Sequence, residues 1–95
     1  MENNVDLLTK LRKELDETDD QLLELLVKRF KLISLIGQHK KENSIPMMQN
    51  HRVEHVINKA KAAAEKNDLN PEFFKKIYQT IIGIACDMED EIIDE

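Results

Sequence analysis

A long amphipathic pattern over the first forty or so residues constrains the fold more than any other feature of this sequence. Apolar side chains recur there at spacings of three and four residues, which is typical of one face of an α-helix. The recurring positions are Leu8, Leu11, Leu15, Leu22, Leu26, Ile33 and Ile36. No glycine precedes Gly37 and no proline precedes Pro46. The pattern predicts one helix over about residues 5–41 that continues through the polar cluster at 16–20.

Such a helix is too long for one small protomer to cover. At about 1.5 Å per residue it spans roughly 50 Å, whereas a compact domain of about 100 residues has a radius of gyration near 13 Å. The apolar stripe must therefore be buried partly by a second copy of the chain. The pattern predicts an intertwined homodimer.

Two shorter helices are predicted after a break at residues 42–49. Asn43, Ser44 and Pro46 disfavour helix there, and Met47 and Met48 place apolar side chains in a loop. The second helix is expected over about 50–66, with Asn50 as its N-cap. Its apolar face comprises Val53, Val56, Ile57, Ala60 and Ala64.

The third helix has the strongest start signal in the chain. Asn70 is a favourable cap, Pro71 suits the first helical position and Glu72 suits the first turn. We expect this helix over about 71–93, with an apolar face of Phe74, Ile77, Ile81, Ala85, Met88 and Ile92. No strand pattern is present, so the prediction is an all-α, three-helix protomer forming a single domain over residues 1–95.

Charge and cysteine content exclude several classes of protein. The formal net charge is -5, which disfavours general binding to nucleic acid or to an anionic membrane. No apolar run approaches the roughly 20 residues that span a bilayer, and the acidic, polar N-terminus does not predict a signal peptide. A single cysteine, Cys86, excludes an intramolecular disulfide and fits a reducing compartment. We expect a cytoplasmic protein.

Several cations fall on or beside the apolar face of the first helix. They are Arg12, Arg29 and Lys40, each three or four residues from a stripe residue. Burying a charge costs several kcal/mol unless it is partnered, so either acidic side chains or an anionic ligand should meet these groups. The alternative is that their aliphatic stems lie along apolar surface while their charged heads stay in water.

Two further charges extend this set to the other helices. Arg52 lies in the first turn of the second helix, where a cation opposes the helix dipole unless an anion binds there. Glu89 lies on the flank of the apolar face of the third helix. The alternative, a solvent-exposed acid on the outside of the helix, is equally supported by this segment. Together these cations and one carboxyl suit a small polyanion, which guanidinium groups bind bidentately. Fixed charges of this kind catalyse by stabilising a charged transition state and by holding a reactive conformer.

The sequence predicts neither a metal nor a cofactor. His51 and His55 are four residues apart, but no glutamate-bearing zinc motif accompanies them. No glycine-rich phosphate loop is present, since the only glycines are Gly37 and Gly83. Cys86 has no histidine nearby in the sequence, so nucleophilic catalysis is poorly supported.

The sequence resembles the all-helical chorismate mutases over about residues 6–93. The resemblance is carried by Leu11 to Asp16, Asp19, Leu22 to Arg29, Gly37 and Lys40, with Pro46, Arg52 and the third-helix stretch in the family's order. It implies an intertwined dimer of three-helix protomers with two equivalent active sites. It also implies an isomerase that converts chorismate to prephenate by a Claisen rearrangement, without metal or cofactor.

The resemblance also implies roles for the cations. Arg29 would bind a carboxylate of a small dianionic substrate, and Arg12 would reach the same site from the partner chain. Lys40 would hydrogen-bond the enolpyruvyl carboxylate and the ether oxygen, which gains negative charge as its bond breaks. Arg52 would lie near the entrance.

Three positions depart from the usual pattern of the family. Val53 stands where an acid commonly contacts the ring hydroxyl, and Ala85 stands where a serine often binds the ring carboxylate. Glu89 stands where a glutamine usually meets the ether oxygen, as in the fungal members. Because a glutamate donates a hydrogen bond only when protonated, the resemblance implies that activity falls as pH rises.

These departures leave the substrate open. The stretches 45–49 and 86–90, together with Val53, look like a subgroup from secondary metabolism, some of whose members rearrange 4-amino-4-deoxychorismate. Gln49 or the methionine loop would then recognise the amine. Isochorismate pyruvate lyases share the fold and the cationic site and are a further alternative. A non-catalytic helical dimer that binds a metabolite or regulates a partner enzyme is the alternative from another class.

Overall fold

A computed structural model describes residues 4–46 and 50–94 of the chain. The described residues form three α-helices and no strand: α1 (Asn4–Glu42), α2 (Asn50–Lys66) and α3 (Pro71–Ile93). The predicted all-α, three-helix architecture with a very long first helix is therefore confirmed. The expected loop contacts of Met47 and Met48, and the N-cap role of the Asn50 side chain, lie outside the part of the chain that is described.

The chain forms two compact units, Met1–Leu32 and Ile33–Glu95. In the first unit, α1 passes through the polar cluster at 16–20 without a break. The Thr18 hydroxyl donates a hydrogen bond to the Glu14 carbonyl oxygen at 2.8 Å, and Thr9 bonds the Val5 carbonyl in the same way at 2.9 Å. These side chains bond back along the helix rather than replacing its backbone bonds.

The apolar stripe of α1 is largely exposed in a single chain. Its leucines at positions 8, 11, 15 and 22 are between 46% and 59% exposed. Such a continuous apolar surface is unusual on a monomeric soluble protein and is typical of an interaction surface.

In the second unit, α2 packs against α3. The predicted apolar face of α2 is buried at Ala60 and Ala64, and half-buried at its valines and isoleucine. On α3 the buried face is narrower than predicted. Ile77 was expected on it but is 54% exposed, and it lies in an exposed stripe with Phe73 and Ile84.

The end of α1 is closed by a Schellman motif. Ser44 adopts a left-handed conformation with φ of 53°, and the Ile45 amide donates to the Lys40 carbonyl oxygen at 2.9 Å. The Asn43 side-chain amide donates to the His39 carbonyl oxygen at 2.8 Å. The Ile45 amide satisfies a carbonyl that a helix end would otherwise leave without a partner, and the Asn43 side chain adds a second donor to a carbonyl that already accepts from the Asn43 backbone amide at 3.1 Å. The turn after Lys40 is therefore well defined.

The end of α2 repeats this arrangement. Asp68 has φ of 57°, and the Leu69 amide donates to the Ala64 carbonyl oxygen at 2.9 Å. The Asn67 side chain donates to the Ala63 carbonyl oxygen at 2.8 Å. A sharp reversal therefore leads directly into α3.

The start of α3 is the predicted one. The Asn70 side-chain oxygen accepts a hydrogen bond from the Glu72 amide at 2.9 Å, and Pro71 is the first helical residue. The cap satisfies one of the free amides of the first turn. Because this start and the reversal before it are well defined, the position of every later residue on α3 follows from helix geometry.

Candidate active site

An ion pair between Lys40 and Glu89 is the centre of the candidate site. The Lys40 Nζ lies 2.7 Å from the Glu89 Oε1, and the two side chains are only 15% and 7% exposed. Lys40 comes from the last turn of α1, and Glu89 comes from the C-terminal part of α3. The charge expected at Lys40 is thus met by an acidic side chain, which was one of the two partners that the sequence predicted.

The two helices favour the two charges unequally. A lysine near the C-terminus of α1 complements the helix dipole, whereas a carboxylate near the C-terminus of α3 opposes it. Glu89 is also buried, and a charged group removed from water needs a partner. A residue that its helix and its burial both disfavour is typical of a functional position rather than of a packing one.

Ala85 provides an apolar surface one turn before Glu89. It is 4% exposed, and residues four apart on a helix share a face. Its methyl group offers no hydrogen bond to a carboxylate.

Cys86 is the residue whose ionisation is linked to the pair. Burial, followed by the negative charges of Glu89 and Asp90, raises the pKa of the Cys86 thiol, while the nearby Lys40 ammonium partly opposes the rise. The thiol is the protonated form at neutral pH and is a poor nucleophile. Sequence reasoning treated Cys86 only as packing, and the link to the pair became visible only once the helix neighbours were known.

The other predicted site residues differ in how far their side chains are exposed. Arg52 is exposed in the first turn of α2, and Val53 beside it is half-buried. Arg12 is exposed and Arg29 is half-buried, both in the first unit. Gln49 lies outside the described residues. The structure thus brings Lys40 and Glu89 together, and the roles of the three arginines stay predictions.

Across 4–46 and 50–94, no three His, Cys, Asp or Glu side chains form a group that suits a metal ion. None of the helices in these ranges is long and apolar enough to cross a bilayer.

The pair can serve an anionic substrate in two ways. The Lys40 ammonium has only hydrogen-bond donors, and an ionised Glu89 has only acceptors, so the two groups form an ion pair. If Glu89 takes up a proton it becomes a donor as well, and both groups can then donate to one oxygen that gains negative charge. Donors fixed in a site that excludes water are effective in stabilising such charge.

Comparison with known proteins identifies the family of the chain. The family model described as chorismate mutase type II matches residues 11–90. The 4-amino-4-deoxychorismate mutase of Streptomyces pristinaespiralis is 38% identical over 88 residues, covering 93% of this chain and 68% of that protein. The enzyme of the same name from Streptomyces venezuelae is 35% identical over 86 residues, covering 90% and 84%. A bifunctional chorismate mutase/prephenate dehydratase of Buchnera aphidicola is 32% identical over 82 residues, covering 86% and 21%.

Proposed function

We propose that this chain, which belongs to the chorismate mutase type II family, acts on 4-amino-4-deoxychorismate. Membership of the family makes it an isomerase of the chorismate mutase type. The observation that carries the choice of substrate is the match, along almost the whole chain, to two relatives named 4-amino-4-deoxychorismate mutase.

The rearrangement needs only the residues of the site. One carbon–oxygen ether bond breaks, one carbon–carbon bond forms within the same molecule, and no group enters or leaves. In our proposal Lys40 and protonated Glu89 donate to the ether oxygen, while Arg29 and Arg12 hold the substrate carboxylates. Holding the flexible substrate in its reactive conformer lowers the barrier further.

Val53 and Gln49 are relevant to the choice between 4-amino-4-deoxychorismate and chorismate as the substrate. Val53 cannot accept a hydrogen bond, so it offers no specific contact to the ring hydroxyl of chorismate. We assign recognition of the amine to Gln49 or to the backbone beside it. Chorismate itself is the second candidate, which the match to the Buchnera protein favours.

A homodimer is part of the proposal. The leucines of α1 and the Phe73 stripe of α3 are exposed apolar surfaces, and burying them against a second copy is favourable at about 25 cal/mol per Å². Arg12 would then reach the site of the partner. Leu22→Glu should dissociate the dimer in sedimentation velocity, whereas Gln21→Glu, which adds the same charge beside the stripe, should not. A monomeric wild type would contradict this part of the proposal.

A cytoplasmic location completes the proposal. The single Cys86 fits a reducing compartment. Fractionation of cells that express the protein should recover it with cytoplasmic markers.

The function is tested by incubating the protein with 4-amino-4-deoxychorismate, chorismate and isochorismate in parallel, at about pH 5.5 and pH 7.5. Products are followed by mass and absorbance. We expect rearrangement of the amino compound to be the most efficient. Release of pyruvate from isochorismate would instead indicate a lyase. No turnover of any compound would favour a non-catalytic binding protein, and turnover by Arg29→Ala equal to wild type would contradict the role proposed for Arg29.

A further inference from the structure

The last part of α1 passes very close to α3 at Gly37. A Cβ atom placed on Gly37 would lie 3.2 Å from the Ile92 Cδ1, 3.4 Å from the Glu89 Cγ and 3.6 Å from the Glu89 Cα. Gly37 is also the buried residue of α1. Glycine is unfavourable inside a helix, so its presence at this contact needs a reason.

The contact and the ion pair involve the same side chain. Gly37 lies three residues before Lys40, so the two share a face of α1. The stem of Glu89 lies beside Gly37, and its carboxylate reaches Lys40 at 2.7 Å. The absence of a side chain at Gly37 therefore leaves space beside the stem of Glu89, whose carboxylate contacts Lys40.

We propose that Gly37 is a positioning residue, which holds Glu89 in place against Lys40 by leaving the space that the glutamate stem needs. This inference rests on the proposed function, in which Lys40 and Glu89 donate to the ether oxygen of the substrate. An atom beyond Cβ at position 37 would compete with the Glu89 Cγ for space. Glu89 would then shift away from Lys40, and a shift of about 1 Å at a catalytic group costs on the order of 100-fold in rate.

Substitutions of different size at Gly37 distinguish a positioning role from a role in packing alone. The tightest contact of a single Cβ is with the Ile92 Cδ1, the end of a flexible side chain that can give way. Gly37→Ala should therefore fold and keep most of the wild-type kcat. Gly37→Val places methyl groups towards Glu89 and should lower kcat by about 100-fold, with KM changed much less because the arginines are untouched.

Gly83 provides the matched control. It is an exposed glycine within α3, and a Cβ there would have no neighbour within 4 Å. Gly83→Ala should raise the melting temperature by a few degrees, and Gly83→Val should keep the wild-type kcat. A Gly37→Val protein that folds and retains kcat, or one in which only KM rises, would overturn the proposal.

Two further variants keep the test decisive. If Gly37→Val does not fold, Gly37→Ser adds a single atom beyond Cβ and should lower kcat by about tenfold. Ile92→Val removes the Cδ1 atom, and combined with Gly37→Ser it should restore melting temperature but not kcat. Full recovery of kcat would show that Gly37 acts through packing on Ile92, which would contradict a positioning role.

A readout without substrate separates this proposal from the proposed function. Cys86 and Glu89 both lie on α3, whereas Lys40 lies on α1. Burial and the nearby charges of Glu89 and Lys40 act on the pKa of the Cys86 thiol, so the midpoint of its alkylation by iodoacetamide should shift when Glu89 leaves its position beside Lys40 in Gly37→Val, and should not shift in Gly83→Val. An unchanged midpoint would overturn the proposal, even if the wild type turned over none of the three compounds.

Discussion

Lys40 and Glu89, from different helices, form an ion pair of 2.7 Å in which neither side chain is more than 15% exposed. A pair so well removed from water is strongly coupled, because neither partner can be solvated fully if the other is lost. The same burial limits the competition from water for any anion that binds the Lys40 ammonium. Structure and catalysis should therefore respond together when either residue is changed.

We expect Lys40→Met to lower both activity and stability. Loss of a donor aimed at developing charge should reduce kcat by about 10²–10³. The free energy of unfolding should fall by about 1–3 kcal/mol, because Glu89 is left as a buried acceptor without its donor. Denaturant unfolding at fixed protein concentration measures the change. Lys40→Met combined with Glu89→Gln should cost less than the sum of the single changes, and additive costs would contradict the coupling.

Glu89→Gln should flatten the dependence of kcat on pH. In the proposed mechanism Glu89 must be protonated to donate to the ether oxygen, so activity should fall as pH rises. A glutamine amide donates at every pH, and its rate should be nearly constant. The measurement is kcat from about pH 5 to pH 8 for both proteins. A profile that remains as steep in Glu89→Gln would show that another group titrates.

Cys86 should be slow to react with alkylating reagents at neutral pH. The pKa of its thiol is raised by burial and then by the charge of Glu89, and only the thiolate reacts. The midpoint of iodoacetamide alkylation should therefore lie above that of a free cysteine. Glu89→Gln should lower it and Lys40→Met should raise it. The chain has one cysteine, so the label reports this site alone, and a midpoint that neither variant moves would contradict the link.

Ser44→Gly and Asp68→Gly should each stabilise the protein. Both positions have positive φ, 53° and 57°, which glycine adopts without the steric cost that a Cβ imposes. We expect the free energy of unfolding to rise by about 0.5–1 kcal/mol per change. As a control, Ala62→Gly at an exposed position inside α2 should lower it by about 1 kcal/mol. A loss of stability in either glycine variant would show that the original side chain makes a contact of its own.

The sequence predicted the elements that local signals determine. The spacing of the leucines predicted that α1 continues through the cluster at 16–20. Asn70 and Pro71 predicted the start of α3. The left-handed ends at Ser44 and Asp68 were not predicted, because neither residue is the glycine that usually marks them. Ile77 lies on the predicted apolar face but is exposed in a single chain, since the apolar stripe of α3 is wider than the surface that α2 covers.

The candidate site was predicted in part. Lys40 and Glu89 were grouped in one site because each lies on or beside an apolar helix face, and the resemblance to a family then implied their roles. The spacing of residues along the chain contains nothing that predicts their direct contact. The contact of Gly37 with Ile92 depends on the distance between two helices, which no local pattern encodes. The link between Cys86 and the pair depends on burial, which also appears only in three dimensions.

Because the leucines of α1 are exposed in a single chain, dilution alone should perturb the protein by dissociating the proposed dimer. In the proposed dimer, separating the two chains would uncover that stripe and remove Arg12 from the opposite site in one event. Catalysis, cooperative unfolding and resistance to proteases would then disappear over the same range of concentration. The abundance of the protein in the cell, rather than an effector, would set how much of it exists as an enzyme.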